Sequence, residues 1–283
     1  MPPSLPKISI VTISYNQEEF LEQTMRSVLD QNYPNLEYMV IDGASKDCSP
    51  QIIERYADRL SWHVSEPDKG PADAINKGFA RATGEIMGWI NSSDIHYSWT
   101  LSTVAQVFAD VPEAQWITGV ASHLDEGMAP QSIAKAYMNK YDYLSGRYGN
   151  IQQESTFWRR SLWDEAGGQL DVSLRHVFEL SLWLRFMRLA PLYHVNTVLA
   201  GYRLHGDRIE PSARDTARHS VLVKEFRDSQ SARDRFRGNI VRLTDNGPGR
   251  ALRSTAKRLG LMKWNRKPVI LRDFDNHRWM IQK

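Results

Sequence analysis

The first hundred residues alternate between short apolar runs and amphipathic stretches. Between the runs, apolar residues recur three or four apart, the spacing of a helix with one buried face. The runs have the length and β-branched content of buried strands, and they cover Lys7 to Ile13, Leu36 to Asp42, Trp62 to Val64 and Glu85 to Ile90. Strands that alternate with helices predict a parallel sheet with helices on both faces, so we expect the α/β fold class.

The second half of the chain is less regular. Its apolar pattern predicts helices over 100–108, 159–166 and 175–189. Three further strands are predicted over 115–121, 152–158 and 193–202. Residues 126–150 are rich in Tyr, Gly and Asn with weak periodicity, and we expect them to form a substrate-facing insertion.

Polar side chains follow each of the first four predicted strands. The carboxyl ends of parallel strands meet at one edge of a sheet, where α/β proteins bind ligands. Taken singly, such residues are most often ordinary loop or cap residues, and we expect Asn16 to cap the next helix. Four polar strand ends at one edge instead predict a ligand crevice. Its candidate residues are Ser14, Tyr15, Asn16, Asp42, Ser45, Asp47, Glu66, Asp68, Lys69, Asn91 and Asp94.

The sequence also restricts how this crevice could hold a nucleotide. There is no G-x-G-x-x-G after the first strand and no G-x-x-x-x-G-K-[ST], so the dinucleotide and P-loop cradles are absent. Side chains and a metal ion would have to hold the phosphates. Carboxylates do not bind phosphates directly, but they bind a divalent cation that does.

Glu179 is the candidate for proton transfer. Its neighbours Val177, Phe178 and Leu180 are apolar. Apolar surroundings raise the pKa of a carboxyl group towards the range that suits a general base. The alternative is a carboxylate in the first turn of a helix that interacts only with the helix dipole.

Composition and charge exclude several classes of protein. Of the 283 residues, 41% are hydrophobic and 24% are charged, and the formal net charge of +3 gives no reason to expect nucleic acid. The single Cys48 excludes an internal disulfide framework. The sequence shows neither a signal-peptide layout nor a run of 18 apolar residues, so we expect a cytoplasmic protein.

Positive charge is concentrated at the C-terminus. Residues 250–283 contain ten Lys or Arg and two Asp or Glu. Within 249–262, Leu252, Ala256 and Leu259 share one helical face that basic residues surround. Such helices are typical of attachment to an anionic membrane surface, so residues 249–283 are candidates for peripheral attachment to the inner face of a membrane. The alternative is a solvated face of a helix packed on the main domain.

Six motifs in order, from Lys7 to about Gly206, resemble glycosyltransferase family 2. They are ISIVTISYNQ at 8–17, VIDGASKD at 40–47, the stretch from Ser65 to Asp94, FWRRSLWDEAGG at 157–168, the helix at 179–185 and YRLHG at 202–206. Members of this family are inverting enzymes of the GT-A fold. The resemblance therefore implies a mostly parallel GT-A sheet flanked by helices, with a C-terminal helical basic extension.

The resemblance also assigns expected roles to individual residues. Thr12, Ser14 and Tyr15 would line the base and ribose with Asn16 nearby, and Asp42, with Ser45 at the same strand end, would accept hydrogen bonds from them. Asp68 and Lys69 would close over the nucleotide, and Asp73 and Asn76 would lie near the donor sugar or diphosphate. Asn91, Ser92, Ser93 and Asp94 fall at the family's Asp-x-Asp motif. Together, these are the residues that we expect to bind the nucleotide and the donor sugar.

The chemical roles follow from the same resemblance. Asp94 would bind Mg²⁺ or Mn²⁺ bridged to the diphosphate, His205 would complete the metal site, and Glu179 would be the catalytic base. Two positions depart from the family pattern: Ser93 replaces the first carboxylate of the strand-end motif, and Glu179-Leu180-Ser181 stands where Asp-x-Asp is usual.

The function implied is inverting sugar transfer from a nucleotide-diphosphate sugar, with a UDP-sugar favoured. The acceptor would be a hydroxyl of a saccharide or a lipid-linked molecule in cell-surface polysaccharide or glycolipid biosynthesis. We expect a glycosyltransferase domain over 1–215, with a nucleotide-binding half (1–97) and an acceptor half (98–215), followed by the extension over 216–283. A homodimer is left open.

Two other functions are alternatives. The first is a catalytically silent nucleotide-sugar-binding module, which Ser93 and Ser181 make plausible. The second is a nucleotidyltransferase, which shares the sheet pattern. That class uses a Gly-rich loop with Lys or Arg after the first strand, and residues 14–17 offer none.

Overall fold

The computed structural model describes residues 5–147, 149, 151–174, 176–206, 212–245 and 247–282. Its first half alternates strands with helices as the sequence predicts. The strands are β1 (Ile8–Ser14), β2 (Leu36–Asp42), β3 (Trp62–Ser65) and β4 (Ile86–Asn91). The helices are α1 (Glu18–Leu29), α2 (Ser49–Arg55), α3 (Pro71–Phe79) and α4 (Thr100–Asp110). β1 to β4 are all parallel, in the order β3-β2-β1-β4, so their carboxyl ends share one edge.

The second half extends the same sheet. Its strands are β5 (Ile95–His96), β6 (Trp116–Leu124), β7 (Pro130–Ala134), β8 (Thr156–Arg159), β9 (Tyr193–Val198) and β10 (Ala200–Arg203). Its helices are α5 (Lys140–Ser145), α6 (Arg160–Glu165) and α7 (Phe178–Leu189). β8 is antiparallel to both β4 and β6, whereas β9 is parallel to β6. The mixed α/β architecture with a mostly parallel first half confirms the predicted fold class.

Three predicted elements differ in their bounds. The strand expected over 152–158 begins with a 3₁₀ turn, Gln153–Ser155, and is extended only from Thr156. The strand expected over 193–202 is divided at Leu199 into β9 and β10, and β10 leaves β9's place in the sheet to pair with β5 and the end of β6. The helix expected from 175 starts at Phe178, and residue 175 itself lies outside the described residues.

The prediction of a substrate-facing insertion at 126–150 is wrong for residues 138–145, which include a buried helix. Helix α5 is buried, and a capping box between Asn139 and Asp142 starts it. Its Asp142 carboxylate is 3% exposed and lies 2.7 Å from Lys267 Nζ. The weak periodicity hid this helix because its short length leaves no exposed face to alternate with a buried one.

The C-terminal region is helical only in its first part. Helices α8 (Ala213–Asp228), α9 (Ala232–Leu243) and α10 (Gly247–Arg258) precede strands β11 (Val269–Asp273) and β12 (Arg278–Ile281). β11 pairs with β9 and thereby lengthens the central sheet to the order β12-β11-β9-β6-β8-β4-β1-β2-β3. Because Ile270 is buried in the core that β1 and β4 also share, the end of the chain completes the sheet. The division at residue 215 stays a prediction.

Tryptophans fill the core beneath α7. Trp89 of β4 stacks on Trp183 of α7 with ring centroids 5.7 Å apart, and Trp158 packs edge-on against both. Trp89 is 1% exposed, so it supports the core and offers no face to a sugar. Since aromatic pairs of this kind have preferred geometries, the cluster fixes the start of α7 over the end of β4.

Candidate active site

The loops after β1 and β2 are joined to each other. The backbone N–H of Gly43 donates to Ser14 O (2.9 Å), and the N–H of Asn16 donates to Ser45 Oγ (2.8 Å). In return, Asn16 Oδ1 accepts from the N–H of Lys46 (2.8 Å). Asn16 has a φ of 51° and does not cap α1, whose N-cap is Gln17 without a side-chain bond, so that prediction is wrong. Its amide holds the next loop instead.

Asp42 is buried at the end of β2 and has a full set of donors. Its Oδ2 accepts from the Ser45 N–H (2.9 Å) and the Ser65 hydroxyl (2.6 Å), and its Oδ1 accepts from the Ser45 hydroxyl. Asp42 therefore ties the ends of β2 and β3 together.

Gly43 brings Tyr15 and Asp68 together at this edge. A Cβ atom on Gly43 would lie 2.7 Å from Asp68 Oδ2 and 3.3 Å from the Tyr15 ring, so a larger residue there would displace the Asp68 carboxylate. Asp68 is held in place because its Oδ1 accepts from the N–H of Gly70 (2.7 Å). Tyr15 is 62% exposed, and Lys69 is exposed beside Asp68. The edge thus presents an open aromatic face with a carboxylate and a cation at its side.

Three other candidates have partners within the fold. Thr12 is fully buried, and its hydroxyl lies 2.8 Å from the Tyr38 hydroxyl, away from the open edge. Asp73 accepts from the N–H of Lys69 (3.0 Å) at the start of α3. Asn76 exchanges two hydrogen bonds with the backbone of Leu170 and lines a hollow of about 400 Å³ with Ser181 and Arg185.

Asp94 lies at the end of β4, where the chain turns into β5. The Thr24 hydroxyl, 2.8 and 2.7 Å from the carbonyl oxygens of Ser92 and Asp94, holds this turn. Asp94 Oδ1 accepts from the backbone N–H of Arg203 (3.0 Å), and the N–H of Asp94 donates to Asn91 O (3.1 Å). Asp94 Oδ2 is buried and has no hydrogen-bond partner among the described residues. Desolvation, helped by the charge of Glu179, raises the pKa of Asp94 to about 7.

Strand β10 brings Arg203 and His205 to the same place. The Arg203 guanidinium donates to Ser93 O (2.7 Å), Glu126 O (2.9 Å) and Gln23 Oε1 (2.8 Å) and lies over the Phe20 ring. Its donors are committed to the surrounding loops, so it serves as a fixed positive charge beneath Asp94. The His205 ring packs against Phe20 as well, and within the described chain its buried Nδ1 has no partner.

Glu179 is in the first turn of α7, above the tryptophan cluster. Its side chain keeps some exposure, yet desolvation raises its pKa to about 7. Because its charge acts on the pKa of Asp94, the two carboxyl groups are electrostatic neighbours. The structure therefore brings together Glu179 and Asp94, which are 85 positions apart in the sequence.

The sequence analysis missed Glu154. This residue, in the 3₁₀ turn before β8, is 3% exposed, and its pKa is raised by desolvation and by the charges of Asp94 and Glu179. Its Oε1 has no partner in the part of the chain that the structure describes. The signal was a glutamate inside a predicted buried strand, where charged residues are rare unless paired.

The unpartnered atoms suit a divalent cation. Carboxylate oxygens of Asp94 and Glu154 and the imidazole nitrogen of His205 are ligands that Mg²⁺ or Mn²⁺ accepts. No three His, Cys, Asp or Glu side chains of the described residues gather at metal-ligand distances. A cation bound here would be held by one or two carboxylates and by substrate phosphates, the usual arrangement for Mg²⁺.

Comparison with known proteins decides the family. The family model described as "Glycosyl transferase family 2" matches residues 9–165, more than half of the chain. The chain belongs to glycosyl transferase family 2. This finding confirms the family that the motifs indicated, and the matched segment contains β2 to β4 and all of β1 except its first residue.

Relatives in this family are similar over differing lengths. The putative teichuronic acid biosynthesis glycosyltransferase TuaG of Bacillus subtilis (strain 168) is 26% identical, over 77% of this chain and 87% of that protein. The uncharacterized glycosyltransferase RT0329 of Rickettsia typhi is 24% identical, over 71% of this chain and 64% of that protein. The chain thus spans most of the first relative and less than two thirds of the second.

Solved structures share the fold at lower identity. S. aureus TarS 1-349 in complex with UDP-GlcNAc matches with a TM-score of 0.68 and 16% identity, over 84% of this chain and 72% of that one. The mannosyltransferase PcManGT from Pyrobaculum calidifontis, in complex with GDP-Man and Mn²⁺, matches with a TM-score of 0.62 and 19% identity, over 92% and 82%. These matches confirm the predicted GT-A fold for this family 2 chain.

Proposed function

We propose that this family 2 enzyme transfers a sugar from a nucleotide-diphosphate sugar to a hydroxyl group with inversion at the anomeric carbon. The observation that carries the proposal is the position of Glu179, in the first turn of α7 beside the buried Asp94, where desolvation raises its pKa to about 7. A base with a pKa near the working pH is the most effective one for taking a proton from an attacking hydroxyl.

Each residue has a part in the proposed reaction. Tyr15, Asp68 and Lys69 bind the nucleotide at the open edge between β1 and β3, with Ser14, Asn16, Asp42, Ser45 and Asn91 holding the loops that shape it. Glu179 takes the acceptor proton while the hydroxyl attacks the face of the sugar opposite the diphosphate. A single displacement of this kind inverts the anomeric centre.

Asp94 and His205 would hold the cation, Mg²⁺ or Mn²⁺. A bound divalent cation neutralises charge that develops on the leaving diphosphate. Asp73 and Asn76, at α3, would fix the loop that closes over the donor. A UDP-sugar is the favoured donor, supported by TarS, whose structure contains UDP-GlcNAc. The name of TuaG supports a wall-type polysaccharide or a lipid-linked saccharide as the acceptor.

A thermal-shift panel with nucleotide diphosphates and nucleotide sugars, with and without Mn²⁺, tests donor binding. We expect UDP or another nucleotide diphosphate to raise the melting temperature, and to raise it more with Mn²⁺. NMR of the product formed from the best donor then reads the anomeric configuration. Retention of configuration, or no stabilisation by any nucleotide, would contradict the proposal.

A catalytically silent nucleotide-sugar-binding module is the second candidate, because serines stand at positions 93 and 181. It predicts nucleotide binding without turnover. Sugar transfer or donor hydrolysis that disappears in Asp94→Ala excludes it. The loop at 14–17 offers no glycine or basic residue to a nucleotidyltransferase.

The C-terminal helices support docking on an anionic membrane. Within the described ranges, no helix combines the length and apolar character that a membrane span requires. On and after α10, Leu252, Leu259 and Leu261 are 66–70% exposed among basic residues. Exposed leucines with surrounding cations match an anionic lipid surface in both polarity and charge. We therefore place the membrane contact within 249–283, on the inner face of the membrane.

Vesicle flotation tests this placement. We expect the Leu252→Glu/Leu259→Glu variant to lose binding to phosphatidylglycerol vesicles, and Ile133→Glu, a control with a 63% exposed side chain on β7, to keep it. Equal binding by all three proteins would contradict the placement. Light scattering of the same samples tests for the homodimer.

A further inference from the structure

We propose that Glu154 supplies the second carboxylate of the cation site, in place of the one that the chain lacks at Ser93. This inference rests on the proposed function, because it concerns the cation that would accompany a nucleotide diphosphate. Four observations support it: the position of the turn that carries Glu154, its unpartnered oxygen, the charges around it, and the contrast with another buried carboxylate.

The turn Gln153–Ser155 is held between β4 and β6. Gln152 exchanges two hydrogen bonds with the backbone of Ser122 on β6 (2.8 and 3.0 Å). The Gln153 amide donates to Trp89 O on β4. His96, two residues beyond Asp94, has its Nε2 3.2 Å from Glu154 O. These contacts fix Glu154 beside the end of β4, where Asp94 lies.

The charges near this point leave an excess of carboxylates. Asp94, Glu154 and Glu179 are electrostatic neighbours, whereas Arg203 is the fixed cation close to Asp94. A divalent cation between Asp94 Oδ2 and Glu154 Oε1 would neutralise the excess, since buried carboxylates are stable only when paired or bound to a metal.

Asp142 shows how this chain pairs a buried carboxylate that serves only the fold. It is as buried as Glu154, at 3% exposure. Its Oδ2 accepts from the Asn139 N–H (2.9 Å) and lies 2.7 Å from Lys267 Nζ. Glu154 Oε1 has neither kind of partner among the described residues. If Glu154 served only the fold, we would expect a hydrogen-bond donor next to this oxygen.

Mn²⁺ titration followed by electron paramagnetic resonance, in the presence of UDP, measures the site without turnover. We expect Glu154→Gln to weaken Mn²⁺ binding at least tenfold and Asp94→Asn to weaken it further. The control Glu126→Gln, which removes an exposed carboxyl group whose Oε1 accepts from the Gly206 N–H (3.2 Å), should bind Mn²⁺ as the wild type does.

The outcomes separate this inference from the proposed function. Unchanged Mn²⁺ affinity in Glu154→Gln, or no Mn²⁺ binding by the wild type, overturns the inference. Absence of sugar transfer by a wild type that shows the expected affinities overturns the proposed function and leaves the inference standing. Circular dichroism checks folding of each variant. If Glu154→Gln does not fold, Glu154→Asp, which draws the carboxylate back by one methylene, should show the weaker binding.

Discussion

Asp42 and Asp94 are two buried aspartates at the same edge of one sheet, and their surroundings differ. Three donors from Ser45 and Ser65 surround the oxygens of Asp42. Asp94 receives one backbone N–H on Oδ1, and its Oδ2 has no partner in the described chain. Burial raises the pKa of Asp94 to about 7. At the end of β2 the buried carboxylate thus has hydrogen-bond donors on both oxygens. At the end of β4 the buried carboxylate has one oxygen without a donor.

This difference indicates that the two carboxylates at the sheet edge have different roles, one in stabilising the loops and one in binding a cation or a proton. A buried carboxylate with a full set of donors stabilises the loops that present Tyr15 and Asp68. A buried carboxylate with an open oxygen costs free energy in the fold alone and becomes favourable when a cation or a proton arrives. Residues of both kinds look alike in the sequence, and opposite mutational effects should distinguish them.

The largest effect is expected from Glu179, beside Asp94. Glu179→Gln removes the proposed base while keeping the shape of the side chain, so we expect kcat to fall by about 10²–10⁴-fold. Steady-state kinetics with the donor found in the binding panel measures it. The matched control is Glu165→Gln, an exposed position on α6, which should retain wild-type kcat. Equal kcat for both variants would exclude Glu179 as the base.

The pH dependence of kcat/KM should reflect the ionisation of Glu179. Glu179 must be ionised to accept a proton, and its pKa is about 7. With saturating Mn²⁺, we expect kcat/KM to fall about tenfold per pH unit below about 7 and to level off above it. The residual activity of Glu179→Gln should lack this slope. A wild-type profile that stays flat down to pH 5.5 would contradict the assignment.

Asp42→Asn should destabilise the protein. The amide keeps one acceptor and turns an NH₂ group towards donors from Ser45 or Ser65, so at least one buried hydrogen bond is lost and donors face each other. We expect the free energy of unfolding to fall by about 2–3 kcal/mol in urea titration. Ser102→Ala, at an exposed position on α4, is a control for a lost surface hydroxyl and should change little. A stable Asp42→Asn protein would show that Asp42 is not a structural tie.

Asp94→Asn should have the opposite effect on the free energy of unfolding and raise it, when stability is measured at pH 8 in EDTA. The folded protein keeps the Asp94 proton up to pH about 7, whereas the unfolded chain releases it near 3.8. Ionisation therefore costs the folded state stability as pH rises between these values, and below pH 3.8 the cost is absent. A difference of about three pKa units corresponds to about 4 kcal/mol at pH 8. The buried, unpaired NH₂ of the asparagine offsets about 2 kcal/mol of this, so we expect the variant to be more stable than the wild type by about 2 kcal/mol at pH 8, with the gain shrinking towards pH 4. A loss of stability at pH 8 would remove the contrast with Asp42.

The sequence predicted where the strand ends lie better than it predicted which side chains form the candidate site. The alternation of apolar runs and helical spacing was enough for β1 to β4, because parallel topology alone places Asp42, Asp68 and Asp94 at one edge. Glu154 escaped because its contacts with β4 and β6 depend on a 3₁₀ turn that no period reveals. Strands β11 and β12 escaped for a related reason: basic residues mask a short pattern whose partner, β9, lies about 75 positions earlier.

The smallest effect is expected at Asn76, whose amide nitrogen and oxygen both bond to the backbone of Leu170. Asn76→Ala removes the two hydrogen bonds to the Leu170 backbone (2.9 and 2.8 Å). We expect the free energy of unfolding to fall by about 1–2 kcal/mol, because the Leu170 N–H and C=O can partly rehydrate in the adjoining hollow. Donor KM should change by less than about threefold, since both ends of the amide bond to the Leu170 backbone. A tenfold rise in donor KM at unchanged stability would show that Asn76 binds the donor and is not, like Asp42, a residue that serves only the fold.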